Sequence, residues 1–432
     1  MQLTSRSRTR KPAPNRRQRV PPALTRGIER VDAISILDEI PGDLGLVLWR
    51  SVRNVLLWAE TPPTGRASLF AGDAARTRQQ ELGVMDADPE LQAPLSIFAD
   101  LLRHPARADM LRLVNACRRV AVWAEWRGAL RTSLEFSQAA ALVSPDSASL
   151  AYAVGRVARR LADYDRAESW YTRAVVQARE SREWRSYASA LAGMGNLHMQ
   201  RGNYPAAKRA HLRCLNAAER HHVPDLVGAA YHNLFSAEVE MQAGLEVDTL
   251  AARALEAYGS NTTAIQRLAH DVAHHWNLRG QFQGALNVAL ALEPVVDDPS
   301  VRPIIQSLIA RAAGGVGDRT KYDAAVSHAD ELLSNPAVPE ELAARTLLGL
   351  AHGALNLGDM RAAAGYADEA VSIARKRAEG RVVLEAEAVL EAATRHAAAR
   401  RMAATAKVPA APALAADIVR VLTSGKLEMV AA

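Results

Sequence analysis

The sequence predicts an all-α chain, a solenoid of about seven helix-turn-helix repeats behind an N-terminal helical cap. Three observations predict it. A set of bulky and small residues recurs about every 39 residues, the spacing inside each copy is that of one helical stripe, and small residues stand where neighbouring helices would cross.

The repeat is aligned on a bulky marker residue followed by small residues at +3 and +10, with a variable packing residue at +7. The copies are Trp126, Ala129, Ser133, Phe136; Tyr164, Ala167, Tyr171, Ala174; and Tyr204, Ala207, His211, Cys214. They continue as Leu245, Asp248, Ala252, Leu255; Phe282, Ala285, Ala289, Leu292; Tyr322, Ala325, Ala329, Leu332; and Met360, Ala363, Ala367, Ala370. Offsets of 0, +3, +7 and +10 return to the same helix face, so each marker opens the second helix of a pair. Nine residues upstream the position is small in every copy: Cys117, Gly155, Gly195, Ser236, Ala273, Ala313 and Ala351. Gly202, Gly280 and Gly358 precede their markers by two, where the first helix ends and the chain needs a left-handed residue.

The flanks lack these marks. Residues 1–25 mix Arg and Ser with Pro12, Pro14, Pro21 and Pro22, which predicts a disordered basic arm. Residues 26–106 read as an N-terminal helical region with helices over 27–37, 44–59, 67–82 and 89–103. The repeats occupy 107–376, a capping helix lies within 377–405, and 406–432 hold a linker and a short C-terminal helix.

Composition narrows the function classes. The 432 residues carry 53 Lys+Arg, 47 Asp+Glu and two Cys, Cys117 and Cys214, which excludes a disulfide framework and a Cys-based zinc site. A reducing, cytoplasmic setting is expected. Seven of the basic residues fall within positions 1–20 with no acid among them, so the rest of the chain is close to neutral. The basic pI therefore points to the arm alone, where residues 6–19 could make a weak contact with nucleic acid or another acidic surface. The most apolar stretch, 44–59, is broken by Arg50 and Arg53, and no membrane span is expected.

The stretch Gly195-Asn196-Leu197 through Gly202-Asn203-Tyr204-Pro205-Ala206-Ala207 resembles the tetratricopeptide repeat (TPR) family, as does Gly358-Asp359-Met360-Arg361-Ala362-Ala363. Departures are Asp248 for the expected Ala, Leu245 and Met360 for the aromatic marker, and a period longer than the family's 34 residues. The resemblance implies a right-handed superhelix whose concave face is built from the first helix of each pair and binds a peptide or partner protein.

On those first helices, offsets −15, −12, −8, −5 and −4 lie opposite the small packing position. They place Tyr152, Arg156, Arg159, Arg160, Asn196, Gln200, Asn233, Glu240, Arg267, His270, His274, Asn277, His352 and Asn356 in the expected groove. Family members that bind chain-terminal carboxylates use Lys, Arg and Asn on this face. Asn196 matches such an Asn, whereas Ala192 stands where a Lys is expected. Arg forks suit an acidic or amide-bearing peptide. Charge also changes along the repeats: residues 150–220 hold 13 basic and 6 acidic groups, residues 246–300 hold 3 and 7.

Two motifs invite chemistry. His270-Asp271-Val272-Ala273-His274 has the i, i+4 spacing of a metal-binding His pair, but Asp stands where a catalytic Glu would and no third ligand can be assigned. The run from Ala313 to Asp318 looks like a phosphate loop yet lacks the Lys-Ser/Thr that follows one, and is expected to be a turn. The sequence reading is thus a noncatalytic adaptor or scaffold without metal or cofactor. The alternatives are a regulator whose arm contacts nucleic acid, as in some bacterial peptide-responsive regulators it resembles, and a metal-dependent hydrolase using His270 and His274.

Overall fold

The computed structural model describes residues 33–70, 72–84, 88–241, 247–296, 298, 301–335, 340–377, 379–398 and 412–430. The basic arm, Leu245 and the 406–411 linker lie outside them. Among the described residues the regular structure is helical throughout, with no strand. No helix there is long and apolar enough to cross a membrane. The chain divides into two compact units, meeting in sequence between Leu226 and Val227. Each has its own hydrophobic core.

The first unit opens with α1 (Ala33–Glu39), α2 (Asp43–Glu60), α3 (Asp73–Val84) and α4 (Pro89–Arg103). The third expected helix is shorter than the sequence suggested, because Pro63–Ser68 forms a separate 3-10 turn and the α-helix starts only at Asp73. Helix pairs follow: α5 (Met110–Trp126) with α6 (Leu130–Val143), α7 (Ala148–Arg160) with α8 (Tyr164–Ser181), and α9 (Trp184–Gln200) with α10 (Tyr204–Arg220). α11 (Pro224–Glu240) begins at the boundary. The second unit continues with α12 (Val247–Tyr258), α13 (Thr262–Leu278), α14 (Phe282–Leu292), α15 (Arg302–Val316), α16 (Arg319–Leu333), α17 (Glu340–Leu357), α18 (Met360–Lys376), α19 (Gly380–Ala398) and α20 (Pro412–Val430).

The six hairpins whose turns are described are made the same way. A residue with positive φ closes the first helix: Gly128, Gly202, Gly280, Gly317 or Gly358, and in the α7/α8 pair Ala162 at φ 57°. The next residue caps the second helix where it is Asp or Asn. Asp163, Asn203, Asp318 and Asp359 each accept a hydrogen bond from a backbone N–H of the first turn. The +3 and +7 side chains then bury completely or nearly so, as Ala167, Tyr171, Ala207, His211, Ala285, Ala289, Ala325, Ala329, Ala363 and Ala367 do.

Small residues on neighbouring helices admit large side chains. A Cβ built on Gly155 or Gly193 would lie within 2.7 Å of the Tyr171 ring, and one on Gly195 would lie 2.2 Å from His211 Cε1. Gly228 stands in the same relation to Tyr258, and Gly315 to Phe282. Ala273 and Ala351 have no solvent exposure, and Gly195 is buried.

The alignment needs two register corrections. Trp126 is 84% exposed and ends α5 instead of opening a second helix. The left-handed Gly128 shows that the first pair's marker is Leu130, followed by buried Ser133, Ser137 and Ala140. That places it 34 residues before Tyr164, the period of the family it resembles. In α12 the buried residues are Val247, Ala251, Ala254 and Leu255, so the first three lie one residue earlier than aligned while Leu255 holds its place, and Ala252 is exposed. Asp248 therefore does not replace the packing Ala; it accepts a hydrogen bond from Trp276 Nε1 at 2.9 Å.

The glycine-rich run is mostly helix, not turn. Gly314 and Gly315 lie inside α15, and the left-handed turn comes at Gly317. α20 packs across α14, α13 and α12 through Leu414, Ala415, Ile418 and Leu422.

Candidate functional site

In the first unit two of the expected groove residues, Arg156 and Arg160, are already paired. Arg156 and Arg160 both reach Glu125 of α5, Arg156 Nη2 at 2.6 Å from Oε2, and this pairing holds the Glu125 carboxyl below the usual carboxylate range. The forks that suggested an acidic peptide thus join α7 to α5. Tyr152 and Arg159 are half-buried, as is Asn196, and Gln200 is exposed. Cys117 and Cys214 are buried as small apolar residues; burial raises both thiols, Cys214 to about 12.

The second unit holds a cavity of about 670 Å³ walled by α13, α15, α17 and α19, with Glu240 of α11 at its edge. Its position follows from glycine contacts. A Cβ on Gly349 of α17 would lie 2.5 Å from Ser307 Cβ of α15, and one on Gly314 would lie 2.2 Å from the Gly353 carbonyl oxygen. α15 and α17 therefore approach backbone to backbone and form one wall. Leu308, Leu348, Ile304 and Val382 line the cavity with apolar surface, and His270, His274, Arg311, Arg345 and Arg381 bring polar heads to it.

The His pair is held asymmetrically. Asp271 Oδ1 lies 2.8 Å from His270 Nδ1 and its Oδ2 lies 2.9 Å from His232 Nε2, while His232 Nδ1 lies 3.0 Å from the Tyr258 hydroxyl. Burial pushes the Asp271 carboxyl up, but the two imidazole hydrogen bonds hold it well below the usual range. With Nδ1 tied to the carboxylate, His270 is left with Nε2 as its open nitrogen. His274 stands one turn on, its ring nearly parallel to that of His270 with centroids 6.5 Å apart. Its pKa falls to about 4, through lost solvation first and then the nearby His270, Arg311 and Arg381. His352 falls further, to about 3, through burial, Arg311 and His274. His275, adjacent in sequence, packs against Phe235.

Among the described residues there is no cluster of three or more His, Cys, Asp or Glu side chains able to hold a metal ion.

The remaining expected residues scatter. Asn277 does not face a groove: it is 1% exposed and donates from Nδ2 to the Leu308 carbonyl oxygen at 3.1 Å, tying α13 to α15. Offset −5 is therefore a packing position there. Arg267 and Asn356 are exposed, Asn233 and Glu240 half-buried. Sequence reasoning missed Arg311, Arg345, Arg381, Glu379 and Glu385. Arg345 lies at −15 from Met360, an inward offset already in use. Arg311 lies at −11 from Tyr322, an offset not counted as inward, and the other three belong to the capping segment, which carries no marker.

A comparison with protein families matches the tetratricopeptide repeat over residues 149–183, which is the α7/α8 pair. The chain contains a tetratricopeptide repeat. Among solved structures, the apo form of RapI is similar over 77% of this chain and 99% of its own, at 12% identity and a TM-score of 0.51. A signal transduction ATPase with numerous domains and a tetratricopeptide repeat sensor, from Pyrococcus horikoshii, is similar over 79% of this chain and 57% of its own, at 13% identity and a TM-score of 0.50. At such identities these likenesses concern the fold alone. No curated protein sequence matches the chain.

Proposed function

We propose that this TPR-containing chain is a noncatalytic interaction module, and that the cavity of its second unit receives a peptide or a segment of a partner protein. The cavity itself carries the reading. Helices of a repeat normally spend their small and apolar residues on each other, yet here α13, α15, α17 and α19 turn both apolar and charged side chains toward a space of about 670 Å³ that no side chain among the described residues fills. Apolar walls with a few convergent polar heads suit a side chain or a chain end. The repeat fold suits presentation of such a surface.

The test is selection of a displayed random peptide library on the full chain, followed by fluorescence polarisation of the enriched peptide. Arg345→Glu and Arg381→Glu are solvent-exposed changes at the cavity. Each should weaken binding by roughly tenfold or more, about 1.4 kcal/mol. Unchanged affinity in both, with unchanged melting, contradicts the assignment of the cavity.

A further inference from the structure

The contacts that hold His270 also decide which of its nitrogens carries the hydrogen. Tyr258, His232, Asp271 and His270 form one chain: the Tyr258 hydroxyl lies 3.0 Å from His232 Nδ1, His232 Nε2 lies 2.9 Å from Asp271 Oδ2, and Asp271 Oδ1 lies 2.8 Å from His270 Nδ1. An ionised carboxylate can only accept, so both ring nitrogens that face Asp271 are N–H donors. A neutral imidazole has a single N–H, which makes the far nitrogen of each ring an acceptor. His232 uses its acceptor, Nδ1, on the Tyr258 hydroxyl, which donates. His270 has no such partner: its Nε2 makes no hydrogen bond among the described residues, and His270 lines the cavity. The chain thus ends in a bare lone pair on the cavity wall.

The remaining polar lining is even in charge. Arg311, Arg345 and Arg381 stand against Glu240, Glu379 and Glu385. Arg381 directs Nε to Glu385 Oε1 at 2.9 Å and Nη1 to Glu240 Oε1 at 3.4 Å, and its Nη2 has no acceptor among the described residues. A carboxylate entering here meets three of its own kind and an imidazole nitrogen with no hydrogen to give. A cation meets three guanidinium groups. A neutral group with both a donor and an acceptor meets a complement for each, the lone pair of His270 for its N–H and a guanidinium N–H for its oxygen. Ile304, Leu308, Leu348 and Val382 can cover an apolar stem behind it.

We propose that the cavity reads a primary carboxamide, whose NH2 donates to His270 Nε2 and whose oxygen accepts from Arg381, with Tyr258, His232 and Asp271 as positioning residues that keep His270 in its accepting tautomer. The proposal deepens the reading of the cavity as a recognition surface, and rests on it only for the source of the carboxamide, which on a peptide is a Gln or Asn side chain.

Two measurements on the full-length wild-type protein test it. In imidazole nitrogen NMR at about pH 8, where histidine rings are normally neutral, His270 should carry its proton on Nδ1 and His232 on Nε2. Hexanamide should then move the Nε2 signal of His270. A proton found on Nε2 of His270 overturns the proposal. In calorimetric titration, hexanamide should bind roughly tenfold or more tightly than 2-heptanone, which puts a methyl in place of the NH2, and than hexanoate, which has no donor. Equal binding of the amide and the ketone, or tighter binding of hexanoate, overturns it as well. Neither measurement depends on a variant that must fold. His270→Phe keeps an aromatic ring and should bring the amide down to the ketone. Asp271→Leu should do the same while moving the His270 proton to Nε2, a change that a merely structural role for Asp271 does not require.

Peptides separate this claim from the one it rests on. A selected peptide whose binding is lost in Arg381→Glu should carry Gln or Asn, and replacing that residue by Glu or Asp should weaken it roughly tenfold or more. If affinity survives replacement of every Gln and Asn, the carboxamide site falls and the recognition surface stands. Preference for hexanamide over 2-heptanone, when no selected peptide depends on the cavity, supports the carboxamide site and defeats the peptide reading.

Discussion

Gly195 and His211 show how tightly single side chains are specified. The His211 ring fills the place that a Gly195 methyl would occupy, and neither of its nitrogens has a hydrogen-bond partner among the described residues. Gly195→Ala must displace a buried ring and should cost on the order of 1–3 kcal/mol in chemical denaturation. The double variant with His211→Ala should recover part of that loss, since the clash then has no second party; a strictly additive double variant contradicts the packing described. Burial also lowers the His211 pKa to about 4. Its folded value lies below the unfolded 6.5, so the unfolded chain binds the extra proton and stability falls as pH drops from about 6.5 to about 4. The loss from this one group is at most about 3 kcal/mol. His211→Phe should flatten the acid limb of a denaturation series, and an unaltered limb would remove His211 from the account. These relations were partly legible: Gly195 was recognisable as a crossing point from its offset, but nothing local said that the +7 residue opposite would be an imidazole without a partner.

At the scale of elements, α6 is instructive because its own N-cap residue, Ala129, offers no side-chain hydrogen bond. The cap comes from α1. Glu39 accepts from the backbone N–H of Arg131 at 2.9 Å and of Thr132 at 2.8 Å, and from the Thr132 hydroxyl at 2.9 Å. A carboxylate there satisfies two otherwise orphaned donors and meets the positive end of the helix. Glu39→Ala should therefore destabilise the protein by about 1–2 kcal/mol, measurable by urea unfolding, and Glu39→Asp should recover little because its carboxylate stops one methylene short. A Glu39→Ala variant as stable as the wild type would make the cap incidental. The sequence could not announce this contact, which joins residues far apart in the chain and depends on how α1 lies on α6. The same limit explains the first-unit register. Trp126 is bulky and stands near the turn, and only the left-handed backbone at Gly128 shows that the hairpin closes after it. Within single hairpins, by contrast, Gly followed by Asp or Asn and then a bulky residue is enough to mark the turn, the cap and the first helical position, as Gly202-Asn203-Tyr204 does.

At the scale of the whole molecule, periodicity was the strongest information in the chain. A stripe of Ala at +3 and +7 reports helix stacking because only small side chains let helices close on one another, and Ala285, Ala289, Ala325, Ala329, Ala363 and Ala367 are buried as that argument requires. The proposed interaction site was less legible. Inward offsets found His270 and His274, but they also gathered Asn277, which is structural, and the Arg156/Arg160 pair, which Glu125 occupies. The reason is that offset fixes a helix face and not what the neighbouring helix places before it. The capping segment contributes Arg381 and Glu385 without any repeat signature.

The central claim is that the second unit's cavity, and not the Arg-rich face of α7, receives the partner. Histidine-selective NMR of the full-length protein, titrated with the peptide enriched by library selection, tests it most directly. The account predicts shifts confined to the ring signals of His270, His274 and His352, with His221, stacked on Trp184 in the first unit, unmoved. Shifts at His221 or His198 with those three rings silent would contradict it.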